Sequence, residues 1–427
     1  MNQFTKICVL GLGYIGLPTA STFATHGLRV VGVDVNPRVV ETLRNGGLHI
    51  HEPGLRTLVQ AAIGSGSLTI GEYPEEADAF IIAVPTPFKD GKKADLEYVI
   101  SAAEAIVPHL RSGNLVILES TSPPRTTTDL VAPILEKSGL TAGQDFYLAY
   151  SPERVLPGQI LRELIENARV IGGIDQASAE VGRDLYTIFV RGEIFLTTAT
   201  TAEMVKLMEN TTRDVNIALA NEFSRLADRI GIDVWEAIAL ANRHPRIDIL
   251  RPGPGVGGHC ISVDPWFLVE AAPDITPLIR TARTVNDAQP QFVVELLRRA
   301  LGQLHDKRIA ILGLAYKPNV DDLRESPAIE VAQLLAQAGA DVITYEPFKL
   351  DFRIPGISSA PSLAAALEGS DALALLVPHT PLLDLGPGEV AALAETRLVV
   401  DAVNGWDPQP WQAAGFTVFR LGVGSGD

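Results

Sequence analysis

One eight-residue pattern occurs twice in this chain of 427 residues: Ile7-Cys-Val-Leu-Gly-Leu-Gly-Tyr14 near the start and Ile309-Ala-Ile-Leu-Gly-Leu-Ala-Tyr316 in the last third. A second pair follows in the same order, with Asp78-Ala-Phe-Ile-Ile-Ala-Val-Pro85 matching Asp371-Ala-Leu-Ala-Leu-Leu-Val-Pro378. Each member is a short apolar run leading into a turn, the form of a strand buried on both faces. Two strand-and-turn pairs repeated in one order predict two related doubly wound domains. The length agrees: single cores stop growing well short of it, so two or three domains are expected.

The first part alternates apolar runs at 7–10, 30–35, 79–84, 115–118 and 146–150 with helix-length spacers, which predicts a parallel sheet covered on both faces. From 201 to 230 the texture changes. Proline and glycine are absent there, and Met204, Met208, Val215, Leu219, Phe223, Leu226 and Ile230 recur at multiples of three or four. One long helix is predicted, ended by Gly231, with a second helix from about 233 to 242 before Pro245. The expected fold class is α/β: two Rossmann-like doubly wound parallel-sheet domains joined by a long central helix and a helical region. The expected domains are residues 1–199, 200–300 and 301–427.

Charge and cysteine usage narrow the partners. A net charge of -16 opposes nonspecific binding to nucleic acid or to an anionic membrane, so neither is an expected partner, and an anionic ligand needs a local basic pocket. Cys8 and Cys260 are the two cysteines; they give no disulfide framework and fit a reducing compartment, with cytoplasm as the default. Gly11, Gly13 and Gly16 break the opening apolar run, and no segment reaches the roughly 18 apolar residues of a spanning helix. No targeting segment, membrane span or metal site is expected.

Gly11-Leu-Gly13-Tyr14-Ile15-Gly16 follows a predicted strand, opens a predicted helix and precedes a second strand ending at Asp34. In that setting the glycines permit a tight turn and close approach of backbone to a pyrophosphate, and the acid can accept from ribose hydroxyls. The bland alternatives are a packing turn without ligand and a strand-end aspartate. An acid at this place repels a 2′-phosphate, which favours NAD over NADP. The later copy, Gly313-Leu-Ala315-Tyr-Lys317-Pro318, has lost two glycines and is a poor dinucleotide site. It holds the substrate's nucleotide or is a structural duplicate.

The segment Gly253-Pro-Gly255-Val-Gly257-Gly258-His259-Cys260-Ile-Ser-Val-Asp264 ends a glycine-rich loop on a thiol. A thiol there is approachable and exposed to backbone dipoles, as expected of a nucleophile, whereas Cys8 lies in an apolar strand and reads as core. His259 is adjacent in an extended chain and points to the other side, which argues against a Cys–His pair. Arg243, Arg246 and Arg251 precede the loop and suit diphosphate oxygens, though each could equally lie on a solvated face. Lys206 and Asn210 share a helix face; their spacing alone reads as an exposed polar stripe.

Taken together, these segments resemble the UDP-glucose and GDP-mannose dehydrogenase family over nearly the whole chain. The resemblance runs through residues 11–18, Ala83-Val-Pro-Thr-Pro-Phe88, Glu119-Ser-Thr-Ser-Pro123 and Ser151-Pro-Glu-Arg-Val-Leu-Pro-Gly158. It continues through Arg243-His-Pro-Arg246, residues 253–267 and Lys317-Pro-Asn-Val-Asp-Asp-Leu-Arg-Glu-Ser-Pro327. It implies an NAD domain, a central helical region that forms a homodimer, and a C-terminal domain that holds a UDP-sugar substrate. By motif it implies that Gly11, Gly13, Tyr14, Ile15, Gly16, Asp34, Arg38, Pro85, Thr86 and Thr121 meet the cofactor. Glu153, Arg154, Val155, Leu156, Lys206, Asn210, Arg246, Gly253, Gly257, Lys317 and Arg324 are implied to meet the substrate.

The chemistry implied is two successive NAD-dependent oxidations of a sugar C6 alcohol, through a thiohemiacetal and a thioester on Cys260. Lys206 and Asn210 are implied to stabilise the oxyanion, Asp264 to orient water, and Thr121 to lie in the active site, which overturns the bland reading of Lys206. Pro157 stands where UDP-glucose members carry a second glutamate, so the form Arg-Val-Leu-Pro-Gly looks like the N-acetylhexosamine branch and leaves the second base open. The rival readings are the same chemistry on UDP-N-acetylglucosamine or UDP-glucose, and a catalytically silent protein that binds NAD or a sugar nucleotide.

Overall fold

The computed structural model describes residues 4–89, 91–156, 158–258 and 260–424. It is an α/β protein with two largely parallel sheets and a long helix between them in sequence. The chain falls into two compact units, residues 1–209 with 266–273 and residues 210–265 with 274–427.

In the first unit the strands are β1 (Lys6–Leu10), β2 (Arg29–Val33), β3 (Leu68–Gly71) and β4 (Ala79–Ile82), then a small hairpin of β5 (Phe88–Lys89) and β6 (Lys93–Ala94). They continue with β7 (Leu115–Leu118), β8 (Tyr147–Tyr150), β9 (Arg169–Gly173) and β10 (Ile194–Thr198). Apart from the hairpin they form one sheet in the order β10-β9-β8-β7-β4-β1-β2-β3. Alternate residues of β1 feed opposite faces: Ile7 and Val9 join one core, Cys8 and Leu10 the other. Order reverses at β1, whose neighbours are β2 and β4, and this opens the crevice where such sheets take ligands. The sheet is parallel except that β9 runs antiparallel to β8. The second strand stops at Val33, so Asp34 lies one residue past it and Val35 is 79% exposed, shorter than the apolar run suggested.

The second unit repeats the design with β11 (Arg308–Leu312), β12 (Asp341–Tyr345), β13 (Ser358–Ser359), β14 (Ala372–Leu375), β15 (Leu398–Asp401) and β16 (Thr417–Arg420). Their order is β13-β12-β11-β14-β15-β16, again reversing at the strand that precedes the repeated glycine turn. Ile309 and Ile311 face one core, Ala310 and Leu312 the other.

The long helix runs Ala199–Ile230 and ends where Gly231, at φ +77°, lets its own N–H and that of Ile232 bond back to the Ala227 carbonyl. The next helix, Val234–Ala241, is capped by Asp233, whose carboxylate accepts from the Trp235 and Glu236 N–H groups. A polar seam ties the long helix to the segment 283–289. Arg283 donates to Asp214 at 2.5 Å, Asn221 to Asn286 at 2.9 Å, and Gln289 to Ser224 at 3.3 Å. Among the described residues no helix is long and apolar enough to cross a membrane.

Candidate active site

The glycine turn after β1 divides its labour. Gly11 has φ +92°, and a Cβ there would lie 2.5 Å from the Ala83 carbonyl oxygen. At Gly16 a Cβ would come within 1.8 Å of the Gly11 oxygen, so both glycines serve the turn's own packing. Gly13 differs: it is exposed, and a Cβ would meet nothing within 4 Å. Bare backbone facing open space, just before the helix Gly16–Thr25, suits the close approach of a diphosphate to N–H groups at a helix N-terminus. Tyr14 and Ile15, half-buried, flank it. These residues fit NAD.

Asp34 stands across the turn. Its Oδ2 accepts from the Leu12 N–H at 2.9 Å and its Oδ1 from the Asn36 N–H at 2.9 Å, which aims the carboxylate at the loop and leaves acceptor capacity for ribose hydroxyls. Arg38 is exposed at the start of the helix Pro37–Arg44. Pro85 and Thr86 follow β4, and Thr121 follows β7. The Ser120 hydroxyl joins these two segments, accepting from the Val84 N–H at 2.9 Å and donating to the Val84 carbonyl at 2.8 Å. His49 was not foreseen: its Nε2 lies 2.9 Å from the Leu12 carbonyl, from a position with no motif to mark it.

The second copy of the turn is closed from inside. Glu346, just past β12, occupies the place of Asp34, and its Oε2 accepts from the Leu314 N–H at 2.6 Å and the Ala315 N–H at 2.9 Å. His379, fully buried, accepts the Asn319 N–H on Nδ1 at 2.9 Å, so its Nε2 carries the proton and donates to the same Oε2 at 3.0 Å. Burial alone would raise the Glu346 carboxyl, but the His379 bond and the backbone N–H groups outweigh it and hold it below its ordinary value. The Leu314 bond repeats the one Leu12 makes to Asp34; the additional bond is that of the Ala315 N–H, at the place of Gly13, a donor this copy spends on the protein.

Cys260 lies in the second unit at the end of the glycine loop. It is half-buried, and its carbonyl accepts from the Val263 N–H at 3.0 Å and the Asp264 N–H at 2.8 Å, forming the turn that opens the helix Asp264–Ala271. The loop glycines let it lie against residues 316–327. A Cβ on Gly257 would stand 2.4 Å from the Glu325 carbonyl oxygen, and one on Gly258 would stand 2.8 Å from the Tyr316 ring. The Gly258 N–H donates to the Arg324 carbonyl at 3.1 Å, and the Gly253 N–H to Asn221 at 2.9 Å. Asn210 donates from Nδ2 to the Asp264 carboxylate at 2.6 Å. One unit thus gathers Cys260, Asn210, Asp264, Gly253, Gly257 and the segment bearing Lys317 and Arg324. Arg243, Arg246 and Arg251 are exposed. Cys8 is the opposite case: burial pushes its thiol up to about 12. His259 lies outside the described residues.

Lys206, 9% exposed, sits one helical turn before Asn210. In the first unit Arg154 pairs with Glu209 at 2.7 Å. The loop after β8 has its backbone donors taken by carboxylates. Glu153 Oε1 accepts from Arg154 and Val155, Glu163 from Leu156, and Glu52 from Gly158 and Ile160. Glu153 is turned inward, 9% exposed, with its Oε2 accepting from Arg169 at 2.7 Å. Both of its oxygens are engaged in building the loop. Glu52, Glu119, Arg169 and Tyr186 were not legible in the sequence as parts of this edge. Pro157 lies outside the described residues.

Comparison with known proteins places these observations in a family. Residues 5–190, 200–288 and 310–408 match, in order, the NAD binding, central and UDP binding domains of the UDP-glucose/GDP-mannose dehydrogenase family. The chain is 49% identical to a UDP-N-acetyl-D-mannosamine dehydrogenase of Methanocaldococcus jannaschii, over 98% of this chain and 97% of that protein. It is 48% identical to an NDP-N-acetyl-D-galactosaminuronic acid dehydrogenase of Ralstonia nicotianae, over 95% and 97%. The solved structure of a UDP-D-ManNAc dehydrogenase from Pyrococcus horikoshii superposes with TM-score 0.92 at 41% identity, covering 99% of this chain and 100% of that one. With a glycine turn shaped for a dinucleotide in the first domain, a closed copy of it in the last, and family matches in all three segments, the chain belongs to the UDP-glucose/GDP-mannose dehydrogenases and is an NAD-dependent oxidoreductase of UDP-sugars.

Proposed function

We propose that this enzyme oxidises the C6 alcohol of a UDP-N-acetylhexosamine, UDP-N-acetyl-D-mannosamine first among them, to the carboxylate in two steps, with Cys260 as nucleophile. The observation that carries the reading is the grouping of Cys260 with the buried Asn210–Asp264 pair at the end of a loop that glycine alone can follow. The names of the relatives support the sugar.

NAD, bound at the Gly11–Gly16 turn, supplies the hydride acceptor. The chain's own residues supply the rest. The Cys260 thiolate adds to the C6 aldehyde and forms a thiohemiacetal; loss of hydride then leaves a thioester, and water cleaves it to the acid and frees the thiolate. Lys206 and Asn210 stabilise the oxyanion of each tetrahedral form, worth a few kcal/mol per well-aimed donor. A lysine as buried as Lys206 gains most from such an anion. Asp264, held by Asn210, orients the water. Asp34, Arg38, Thr86 and Thr121 hold the cofactor, and Arg246, Lys317 and Arg324 hold the diphosphate of the substrate. We also infer that the regions 1–199, 200–300 and 301–427 serve cofactor, dimer and substrate respectively. Exposed Leu219, Leu226 and Ile230 on the long helix support a homodimer there, and cytoplasm is the compartment that suits two free thiols.

The test is NADH yield from limiting sugar nucleotide. UDP-N-acetylmannosamine should give two NADH per molecule, tested beside UDP-N-acetylgalactosamine, UDP-N-acetylglucosamine and UDP-glucose. Cys260→Ala should bind NAD and lose acid formation by at least about a thousandfold. A yield of one NADH, or undiminished acid from the alanine variant, overturns the covalent route; no NADH from any UDP-sugar overturns the substrate class.

A further inference from the structure

The carboxyl edge of the first sheet holds a buried charge cluster that the proposed reaction leaves unused. Because β9 runs against β8, its first residue, Arg169, arrives where β7 and β8 end. Arg169 Nη1 is 3.2 Å from Glu119 Oε1 and donates to the Ser151 hydroxyl at 2.9 Å, while Nη2 donates to Glu153 Oε2 at 2.7 Å. The guanidinium lies 4.2 Å from the Tyr186 ring centroid, and the Tyr186 hydroxyl donates to Glu119 Oε1. Glu119 Oε2 is buried without a hydrogen-bond partner. On the far side of β7, β4 ends at Ile82, whose carbonyl accepts the Glu119 N–H at 2.9 Å and which brings no charge. Arg154, the next cation along the loop, is paired with Glu209. One guanidinium therefore faces two carboxylates in the interior.

We propose that Arg169 is a positioning residue for sugar-nucleotide binding: it turns Glu153 inward to set the loop after Ser151, and Glu119 competes with Glu153 for its guanidinium. The inference rests on the reading of that loop as part of the substrate site. With Glu119 protonated the cluster is neutral and Arg169 belongs to Glu153. With Glu119 ionised, a surplus negative charge sits in the interior and the hold on Glu153 is shared. Burial pushes the Glu119 carboxyl up to about 7; Arg169 opposes the shift and Glu153 adds to it. A small pocket lined by Glu153, Arg154, Glu163, Asn167 and Arg169 opens on the Glu153 side of the cluster. The loosening as pH rises reaches the Arg154 and Val155 N–H groups, which Glu153 Oε1 holds at 2.6 and 3.0 Å.

The experiment measures KM for UDP-N-acetylmannosamine and for NAD from about pH 6 to about pH 8. In the parent enzyme the sugar-nucleotide KM should rise through neutrality while that for NAD does not follow. E119Q, of the same shape and never charged, should lose the rise. R169K keeps the charge but gathers its donors on one nitrogen, which cannot span acceptors that the guanidinium reaches from Nη1 and Nη2, and should raise the sugar-nucleotide KM about tenfold or more, the equivalent of one charge-assisted hydrogen bond. Amide hydrogen exchange gives a readout free of turnover: the Arg154 and Val155 N–H groups should gain exchange with pH relative to Leu156, which Glu163 holds instead. A pH-dependent KM that persists in E119Q, an R169K that moves both KM values together, or equal exchange at all three amides overturns the proposal. A parent enzyme without turnover on any UDP-sugar refutes the functional reading instead, and the exchange measurement still decides the cluster.

Discussion

Asn210 and Asp264 are joined by a 2.6 Å hydrogen bond from the Nδ2 of the first to the carboxylate of the second, with 8% and 1% of each residue exposed. The bond ties the long helix to the residue that opens the helix behind Cys260. Asp264→Asn would set an amide against an amide and give up a charge-assisted bond, worth about tenfold or more. With water no longer oriented, kcat should fall about a hundredfold in all, the scale of a misplaced reacting group. Thioester hydrolysis should become the slow step. Intact-mass analysis of enzyme quenched during turnover should then find the sugar acyl group on Cys260. Unaltered turnover, or a slowed enzyme carrying no adduct, would remove Asp264 from the water step.

The three glycines of the first turn should separate folding from binding. Gly16→Ala forces a Cβ to within 1.8 Å of the Gly11 oxygen, so the variant should lose several kcal/mol of stability or fail to fold, as overpacked sites against backbone do. At Gly13 an added Cβ meets nothing within 4 Å, so the Tm of Gly13→Val should stay close to the parent's while NAD affinity drops about a hundredfold, the order of two lost phosphate contacts. Calorimetry with NAD titration checks both. Retention of NAD affinity in Gly13→Val would place the pyrophosphate elsewhere.

Asp34 should make NADP a poor cofactor, by about a hundredfold in kcat/KM, because a 2′-phosphate would meet its carboxylate. Asp34→Asn should narrow the ratio and keep an acceptor for the Leu12 N–H, which Asp34→Ala would lose along with the tie to Asn36. Equal use of both cofactors by the parent enzyme would count against the assignment.

Glu119 should leave a signature on stability as well as on binding. Its carboxyl is raised from 4.5 to about 7 in the folded chain. Between those values the folded state holds a proton that the unfolded state has released, so this contribution is full at the acid end and is lost as pH rises from about 4.5 to about 7. Glu119→Gln should flatten the Tm–pH curve in that window. A curve that keeps the parent's slope would assign the buried proton to another group.

The architecture was legible because its signals are local. The repeat at Ile7 and Ile309 announced two sheets that reverse at β1 and β11, and the proline- and glycine-free run announced a helix now seen as Ala199–Ile230. Leu115–Leu118 was found to the residue, since an apolar run between turn signals has one reading. Strands β3, β9 and β10 of the first sheet were missed, as were β12, β13, β15 and β16 of the second. β9 opens with Arg169 and closes on two glycines, and β10 is half-exposed, so neither carries the buried-strand pattern. The cofactor turn and the cysteine loop show as motifs because backbone or ring atoms crowd any Cβ at Gly11, Gly16, Gly257 and Gly258. The Glu119–Arg169–Glu153 cluster and the Glu346–His379 pair join residues far apart in sequence, through side chains whose types are ordinary on any surface. Nothing but the fold reveals them. Glu153 carried a motif, yet the motif could not say which way its carboxylate turns.

A duplicated fold that handles two nucleoside diphosphates faces a sorting problem. NAD and a UDP-sugar each carry a diphosphate ester of a ribonucleoside, and a pair of equal turns would accept either in either place. Glu346 breaks that equality from within the protein: a fixed negative charge held by His379 already satisfies the Leu314 and Ala315 donors of the second turn. A rising NAD concentration can then fill the first turn without the dinucleotide becoming a competitor at the second.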